Sequence, residues 1–191
     1  SYQFGAQDLG GGRVLFRLWA PSAAKVDLFV ETAGLARKIP LQRGKDDWFS
    51  CRQKIFAGSA CLYWFQIDDT LIVPDPVSRY QPGDVRGPSL LVLSSDHNKP
   101  RPEKWRGRPW TEAVIYELHV GTFTPEGTLA AAAAKLDYLA DLGVTAIELM
   151  PLADFPGGRN WGYDGVLLYA PDSSYGTVDD VHIFIEAAHS R

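Results

Sequence analysis

The hydrophobic pattern of this chain changes its period near residue 113, and this change constrains the fold more than any other feature. Before that point apolar and polar residues alternate, as in RVLFRLW (13–19) and KVDLFVE (25–31). Such alternation is typical of strands with one buried face. Similar runs follow in WFSCRQKI, CLYWFQI and LIV, at the roughly 8–12-residue spacing of β-sandwiches. The first half is therefore predicted to be an all-β sandwich, with no helix before residue 94.

From residue 113 onward the pattern is one of alternating strands and helices. AVIYELHV and VTAIELMP have few polar positions and predict strands. Between them, apolar residues recur at helical spacing from residue 129 to residue 140. Thr128 is suited to cap this helix, which we expect to run to Leu142, and Gly143 supplies its C-terminal stop. The order of elements predicts a βαβ unit with parallel strands.

A second helix is predicted near the end of the chain. Thr177 is suited to its N-cap, and Asp179 and Asp180 lie where the positive end of the helix dipole favours acidic residues. Parallel strands are usually buried on both faces and rarely occur as an isolated pair. We therefore expect the chain to be a fragment of a longer α/β domain. Self-association through an exposed strand edge is one way in which such a fragment could cover its sheet.

Residues 74–112 are rich in Pro, Gly and charge, which predicts a connection running over the surface between two domains. The expected boundaries are 1–96 for the sandwich, 97–112 for the linker and 113–191 for the α/β part. Lys and Arg cluster between residues 99 and 108. We interpret that cluster as a solvated linker rather than a polyanion site.

Charge and hydropathy exclude several classes of partner. The net charge is -4, which disfavours nucleic acid. No apolar run approaches the roughly 20 residues of a membrane span, and the N-terminus lacks a signal peptide's pattern. There are two cysteines, and if residues 56–60 form a hairpin turn, Cys61 lies opposite Phe56 and away from Cys51. A reduced, cytoplasmic protein is therefore expected.

No motif for a metal or a cofactor is found. No His or Cys pair has zinc-ligand spacing, and the glycines at 10–12 precede Arg13 without the Lys-Ser/Thr of a phosphate loop. We interpret His119 as a structural residue, because a metal site would need more ligands. The sequence therefore predicts no cofactor and no metal site.

Two loops follow the carboxyl ends of the predicted parallel strands, where functional groups gather in α/β sheets. The second loop contains NWGYDG (160–165) and exceeds the usual length of about 2–6 residues. Trp161 and Tyr163 are suited to stack on a sugar ring, while Asn160 and Asp164 can hydrogen-bond its hydroxyls. The alternative is a loop that pins itself with its own aromatic residues. Residue chemistry alone leaves both interpretations open.

Two further sets of residues have candidate roles in carbohydrate chemistry. Glycoside hydrolysis requires two carboxylates, and no spacing rule selects a pair among Glu117, Glu148, Asp154 and Asp164. Aromatic residues of the predicted sandwich form either a sugar platform or part of the core, and their alternating strands favour the core. These residues are Trp48, Tyr63 and Trp64.

The same two loops resemble the α-amylase superfamily of glycoside hydrolases. The resemblance lies in YELHVGTFTPEGT (116–128) and GVTAIELMPLADFPGGRNWGYDGVLLYAPDSSYG (143–176). FRLWAP (16–21) and VPDPVSRYQP (73–82) are similar to the immunoglobulin-like N-terminal domain of superfamily members. The resemblance covers nearly the whole chain. It implies an immunoglobulin-like β-sandwich followed by the first two βα units of an incomplete TIM (β/α)8 barrel.

The function implied by the resemblance is hydrolysis of α-glucans by double displacement. The motifs are most similar to those of members that release trehalose from maltooligosyl trehalose by cleaving the adjacent α-1,4 bond. The family's nucleophile and acid stand on the fourth and fifth strands, so no catalytic residue is assigned here and the chain alone is expected to be inactive. By similarity, Tyr163 stacks on the sugar beside the scissile bond, and Asp164 and Trp161 shape that pocket.

Other functions remain open within and beyond the superfamily. Branching enzymes usually carry Gln-Pro after the equivalent tyrosine, whereas this chain has Asp164-Gly165. This difference and TPEGT after the first strand favour the trehalose-releasing members over branching or isoamylase-type debranching enzymes. A non-catalytic carbohydrate-binding or structural fragment is the alternative of another class.

Overall fold

The computed structural model describes residues 4–55, 60–93 and 105–191. Strands up to residue 90 form antiparallel sheets, and strands and helices alternate from residue 115 onward. No helix in the three described ranges is long and apolar enough to cross a membrane. Before residue 94, the described residues contain one short 3₁₀ turn, Lys45–Asp47, and otherwise no helix. The change of sequence pattern therefore coincides with a change of architecture, as predicted.

Two antiparallel sheets make up the first part of the chain. Its strands are β1 (Gln7–Asp8), β2 (Arg13–Trp19), β3 (Val26–Thr32), β4 (Leu35–Pro40), β5 (Gln42–Arg43), β6 (Trp48–Lys54), β7 (Cys61–Ile67), β8 (Leu71–Val73) and β9 (Ser89–Leu90). The first sheet has the order β1-β2-β6-β5. The second has the order β4-β3-β7-β8, with β9 also paired to β7.

The core of this sandwich is formed by the alternating residues that the sequence identifies. On β2, Val14, Phe16 and Leu18 are buried, and they join inward residues of β3 and β7 in one cluster. The rings of Phe16 and Tyr63, which belong to opposite sheets, meet at 5.1 Å. Because burial of a large apolar side chain contributes about 1.5–3 kcal/mol, this alternation favours two facing sheets. The predicted β-sandwich is confirmed.

The hairpin considered for residues 56–60 is wrong. Residues 56–59 lie outside the described residues, but the strands on either side belong to different sheets. Both strands alternate in the same way, so their pattern does not reveal which sheet each joins. Cys51 and Cys61 are both free, as expected.

Residues 74–93 do not wander over the surface, contrary to the prediction. Asp75 is buried, accepts a hydrogen bond from the Tyr63 hydroxyl at 2.9 Å and donates its backbone N–H to Ser89 Oγ at 3.1 Å. Ser78 Oγ likewise lies 2.9 Å from the amide oxygen of buried Gln81. In this Pro- and Gly-rich segment, side chains thus supply hydrogen bonds that neighbouring strands would supply in a sheet. Burial raises the pKa of the Asp75 carboxyl. Burial also raises the pKa of the Tyr63 hydroxyl, and the neighbouring Asp75 raises it further.

The predicted linker is described only in its second part. Residues 97–104, which include most of the Lys and Arg cluster, lie outside the described residues. Residues 105–112 are exposed and end in a 3₁₀ turn, Trp110–Glu112. The domain boundaries stay a prediction.

The second part of the chain contains the predicted βαβ unit. Its elements are β10 (Ile115–Leu118), α1 (Val120–Phe123), α2 (Leu129–Ala133), α3 (Leu136–Asp141), β11 (Ala146–Leu149), β12 (Ala153–Asp154), β13 (Leu167–Pro171) and α4 (Val178–His189). β10 and β11 pair in parallel, with Leu118 opposite Leu149. One face of the pair packs against the helices through Tyr116, Leu118, Ile147 and Leu149. On the other face, Glu117 and Glu148 lie side by side and are exposed.

The helix ends follow the local sequence rules, but the first predicted helix is interrupted. Thr128 Oγ accepts the N–H of Ala131 at 3.2 Å, and Gly143 ends the segment at a φ of 93°. The expected single helix to Leu142 is divided into α2 and α3 by Lys135, whose φ of -99° and ψ of 1° leave the helical region. At α4, Thr177 and Asp180 form a reciprocal capping box.

Candidate functional site

The two predicted loops meet at the carboxyl edge of the parallel pair. Met150 at the end of β11 donates its N–H to Leu118 of β10 at 2.9 Å, so both loops leave the sheet at the same level. His119, in the first loop, then reaches the second loop through Nε2, which lies 2.6 Å from the backbone oxygen of Asn160. The strand order therefore brings together residues that are 41 positions apart.

A short hairpin closes the base of the second loop. β12 and β13 pair antiparallel, with a register shift between Ala153 and Asp154. The sequence predicts that residues 151–174 are mostly loop, and apart from these two short strands they are irregular. β12 has two residues and gives no periodic signal, whereas the apolar run LLYAP of β13 was a usable signal. Phe155, which follows β12, is 1% exposed and anchors the loop in the core beside Tyr175.

The side chain of Asn160 organises the turn. Its amide oxygen accepts the N–H of Gly162 at 2.5 Å and that of Asp164 at 3.4 Å. Its amide nitrogen donates to Asp164 Oδ2 at 3.1 Å. Both ends of the amide are thus engaged within NWGYDG. Of the four predicted site residues, Asn160 and Asp164 therefore contact each other directly.

Glycine is required at position 162 by conformation and by space. Its φ is 97°, a region that side chains rarely adopt. A Cβ built there would lie 2.8 Å from the backbone oxygen of Pro151. The turn therefore approaches the end of β11 so closely that no larger residue fits without a shift.

The aromatic residues of the turn face solvent. Trp161 is 76% exposed and Tyr163 is 71% exposed. They therefore do not pin the loop, which is held by Phe155 and Asn160 instead. Two aromatic faces beside an exposed carboxylate, Asp164, can stack on a sugar ring and accept hydrogen bonds from its hydroxyls.

An acidic cluster with two buried members, Asp154 and Asp172, lies at the base of the loop and was missed by sequence reasoning. Asp172 accepts the N–H groups of Phe155 at 3.1 Å and Ser174 at 2.8 Å. Burial, and then the charges of Asp172 and Asp84, raise the pKa of Asp154 to about 7. Asp84 in turn accepts the N–H of Gly157 at 3.2 Å. Within the described residues, no group of His, Cys, Asp and Glu is arranged to hold a metal ion.

The four carboxylates from which a catalytic pair was considered lie in three different places. Glu117 and Glu148 are strand neighbours on the exposed sheet face. Asp154 is buried at the hairpin, and Asp164 is bonded to Asn160.

The considered aromatic platform on the sandwich is divided in a similar way. Tyr63 is buried in the core. Trp48 is half-buried beneath Arg17, at 4.2 Å, and Trp64 is half-buried and stacks on Phe29 with ring centroids 5.3 Å apart. The three side chains therefore do not form one exposed surface.

Known proteins are similar to this chain in sequence and in architecture. The sequence model for the alpha amylase catalytic domain matches residues 79–191, more than half of the chain. Malto-oligosyltrehalose trehalohydrolase of Saccharolobus solfataricus is 41% identical over 181 residues, covering 92% of this chain. A 1,4-alpha-glucan branching enzyme of Burkholderia lata is 30% identical and covers 93% of this chain.

A solved structure extends the likeness to the fold. The crystal structure of a Salmonella typhimurium protein named as a candidate alpha amylase is 48% identical, has a TM-score of 0.88 and covers 100% of this chain. The chain spans 30% of the Saccharolobus relative and 32% of the Salmonella protein. The catalytic-domain model matches more than half of this chain, which confirms the resemblance of the two loops. The chain therefore belongs to the alpha-amylase family.

Proposed function

We propose that this chain contributes a sugar-binding loop to an α-amylase-family glycosidase that releases trehalose from maltooligosyl trehalose. The observation that carries the proposal is the exposure of Trp161 and Tyr163 on a turn whose backbone is held by other residues. An aromatic residue that serves only to pack a loop would be buried, as Phe155 is. The position of the turn at the carboxyl edge of parallel strands further supports a binding role.

The proposed reaction follows from the trehalohydrolase relative. Malto-oligosyltrehalose is a glucan chain ending in trehalose, and the bond cleaved is the α-1,4 bond next to that end. The identity of 41% to the Saccharolobus enzyme, against 30% to the Burkholderia branching enzyme, favours hydrolysis over branching. Retaining glycosidases use one carboxylate as nucleophile and another as general acid, followed by water attack on the glycosyl-enzyme.

Within this proposal the four residues of the turn have different roles. Tyr163 stacks on the sugar beside the scissile bond, and Trp161 extends the aromatic wall. Asp164 retains acceptor capacity for sugar hydroxyls, because Asn160 donates to one of its two oxygens. Asn160 shapes the turn and presents the other three residues.

The finer architecture is part of the same proposal. The sandwich is immunoglobulin-like, and the βαβα segment is the first two units of a (β/α)8 barrel, with boundaries at 1–96, 97–112 and 113–191. The exposed face of the β10–β11 pair, with Glu117 and Glu148, fits a sheet that continues with further strands. Under this proposal the polypeptide of residues 1–191 alone does not release trehalose, and it self-associates through the exposed strand edge. Light scattering that shows a monomer would contradict the second point.

A cytoplasmic location is proposed as well. Cys51 and Cys61 are free and lie on strands of different sheets, which suits a reducing compartment.

Product analysis of the full-length protein tests the proposed reaction. We expect free trehalose from maltooligosyl trehalose and no new α-1,6 branches from amylose. Branches in amylose would favour a branching enzyme, and cleavage of α-1,6 bonds in a branched glucan would favour a debranching enzyme. Glucan binding without any turnover would favour the non-catalytic alternative.

A further inference from the structure

The shortest polar contact of the His119 imidazole among the described residues is with the loop that carries the proposed sugar-binding residues. Its Nε2 lies 2.6 Å from the backbone oxygen of Asn160. A carbonyl oxygen can only accept a hydrogen bond, so Nε2 carries the proton. The other ring nitrogen, Nδ1, is buried and has no hydrogen-bond partner among the described residues. The hydrogen-bond donor of the ring is therefore directed toward the loop.

The neighbours of His119 fix the direction of its ring. The buried ring of Tyr175 meets it edge to face, with an interplanar angle of 88°, and the Tyr175 hydroxyl lies 3.4 Å from Nε2. On the other side, a Cβ on Gly121 would lie only 2.9 Å from Cε1 of the imidazole. The imidazole is thus held between the first loop and Tyr175, and its donor points at Asn160.

Asn160 passes this restraint on to the rest of the turn. Its backbone oxygen is held by His119, while its side chain bonds Gly162 and Asp164. The exposed rings of Trp161 and Tyr163 lie between these anchored positions in the chain. A shift of Asn160 would therefore move both aromatic faces and the carboxylate together.

We propose that His119 is a positioning residue for sugar binding, which holds the turn of residues 160–164 through its hydrogen bond to Asn160. The inference rests on the proposed function, because it assigns the held turn to the sugar site. It goes beyond the structural role expected from the sequence. A purely structural histidine would stabilise the fold, whereas a positioning histidine changes how the turn meets its ligand.

Two amide substitutions at position 119 test the roles of the two ring nitrogens separately. In His119→Gln the amide nitrogen reaches the place of Nε2 and can donate to Asn160. In His119→Asn it reaches only the place of Nδ1. We expect His119→Asn to raise KM for maltooligosyl trehalose roughly 3- to 10-fold, with a much smaller change in kcat, because one hydrogen bond is lost. His119→Gln should restore KM to within about 2-fold of the wild-type value.

Hydrogen exchange of the same full-length variants reports on the turn without substrate. His119→Asn should speed amide exchange in residues 156–165, and His119→Gln should not, while β10 and β11 stay protected in both. Equal behaviour of the two variants, in KM and in exchange, would overturn the inference. If the wild-type protein releases no trehalose, the proposed function fails, and the exchange of residues 156–165 still decides whether His119 holds the turn.

A double mutant gives an independent check. Once Tyr163→Ala has removed the aromatic face, adding His119→Asn should raise KM little further, because both changes act through the same turn. Fully additive effects would contradict a role of His119 through this turn.

Discussion

Asp154→Asn is expected to stabilise the β12–β13 hairpin at pH 8 and to leave it almost unchanged at pH 4. Asp154 is buried, and its Oδ2 has no hydrogen-bond partner among the described residues. Burial, followed by the charges of Asp172 and Asp84, raises the pKa of its carboxyl to about 7. A protonated Asp154 can donate toward Asp172, whereas a charged one repels it. Asparagine keeps the shape and offers a donor at every pH.

The sign of the pH dependence follows from the raised pKa. A carboxyl whose pKa is higher in the folded state contributes its full stability below its unfolded value of about 4. That contribution is lost as the pH rises through the folded value of about 7. The wild-type hairpin should therefore weaken between about pH 4 and pH 7, and the Asp154→Asn hairpin should not.

The magnitude has an upper limit and a more realistic value. A rise of the pKa from about 4 to about 7 corresponds to roughly 4 kcal/mol. Exposed Asp84 belongs to the same cluster, so solvent screens part of the repulsion. A buried group left without a partner costs about 1–3 kcal/mol. We expect this range at pH 8, which corresponds to roughly 5- to 150-fold slower exchange in residues 153–172.

Hydrogen exchange detected by mass spectrometry measures this difference locally. Wild type and variant are compared at the same pH, from 4 to 8, so that the intrinsic pH dependence of exchange cancels. Asp141→Asn, at an exposed carboxylate ending α3, is the matched control and should change nothing in residues 153–172. A difference between Asp154→Asn and wild type that is the same at every pH would refute the reasoning.

Three further changes test other parts of the structure. Thr177→Ala removes a capping box and should lower the stability of α4 by about 1 kcal/mol, measured by exchange within that helix. Tyr63→Phe removes the hydroxyl that donates to Oδ2 of the buried Asp75 and should cost about 1–3 kcal/mol in urea unfolding, whereas an unchanged midpoint would contradict the hydrogen bond. Gly162→Ala places a Cβ 2.8 Å from a backbone oxygen at a φ of 97° and should abolish most sugar binding. Gly158→Ala, where a Cβ meets nothing within 4 Å, should bind normally.

Local signals in the sequence were sufficient for the elements and for several of their ends. Alternation identified β2, β3 and β7, because burial of one face requires it. Thr128, Thr177 and Gly143 marked helix ends, since each acts on backbone groups within a few residues. The loop of residues 160–164 was found because it follows a parallel strand, and three of its four candidate residues, Trp161, Tyr163 and Asp164, are exposed.

Contacts between distant segments could not be predicted in the same way. The assignment of β6 and β7 to different sheets depends on pairing partners that their own patterns do not specify. The bond of Tyr63 to Asp75 places a Pro- and Gly-rich segment against the sandwich. The cluster around Asp154 combines carboxylates from positions 84, 154 and 172, whose proximity exists only in the folded chain.

The central claim is that the turn of residues 160–164 binds sugar, and the kinetics of Tyr163→Ala test it most directly. Loss of an aromatic stacking face worth ~1–3 kcal/mol should lower kcat/KM for maltooligosyl trehalose roughly 5- to 150-fold in the full-length protein. Tyr138→Ala is the matched control, because Tyr138 is 61% exposed on α3, away from the turn, against 71% for Tyr163. The account predicts a loss for Tyr163→Ala alone, and unchanged trehalose release by that variant would contradict it.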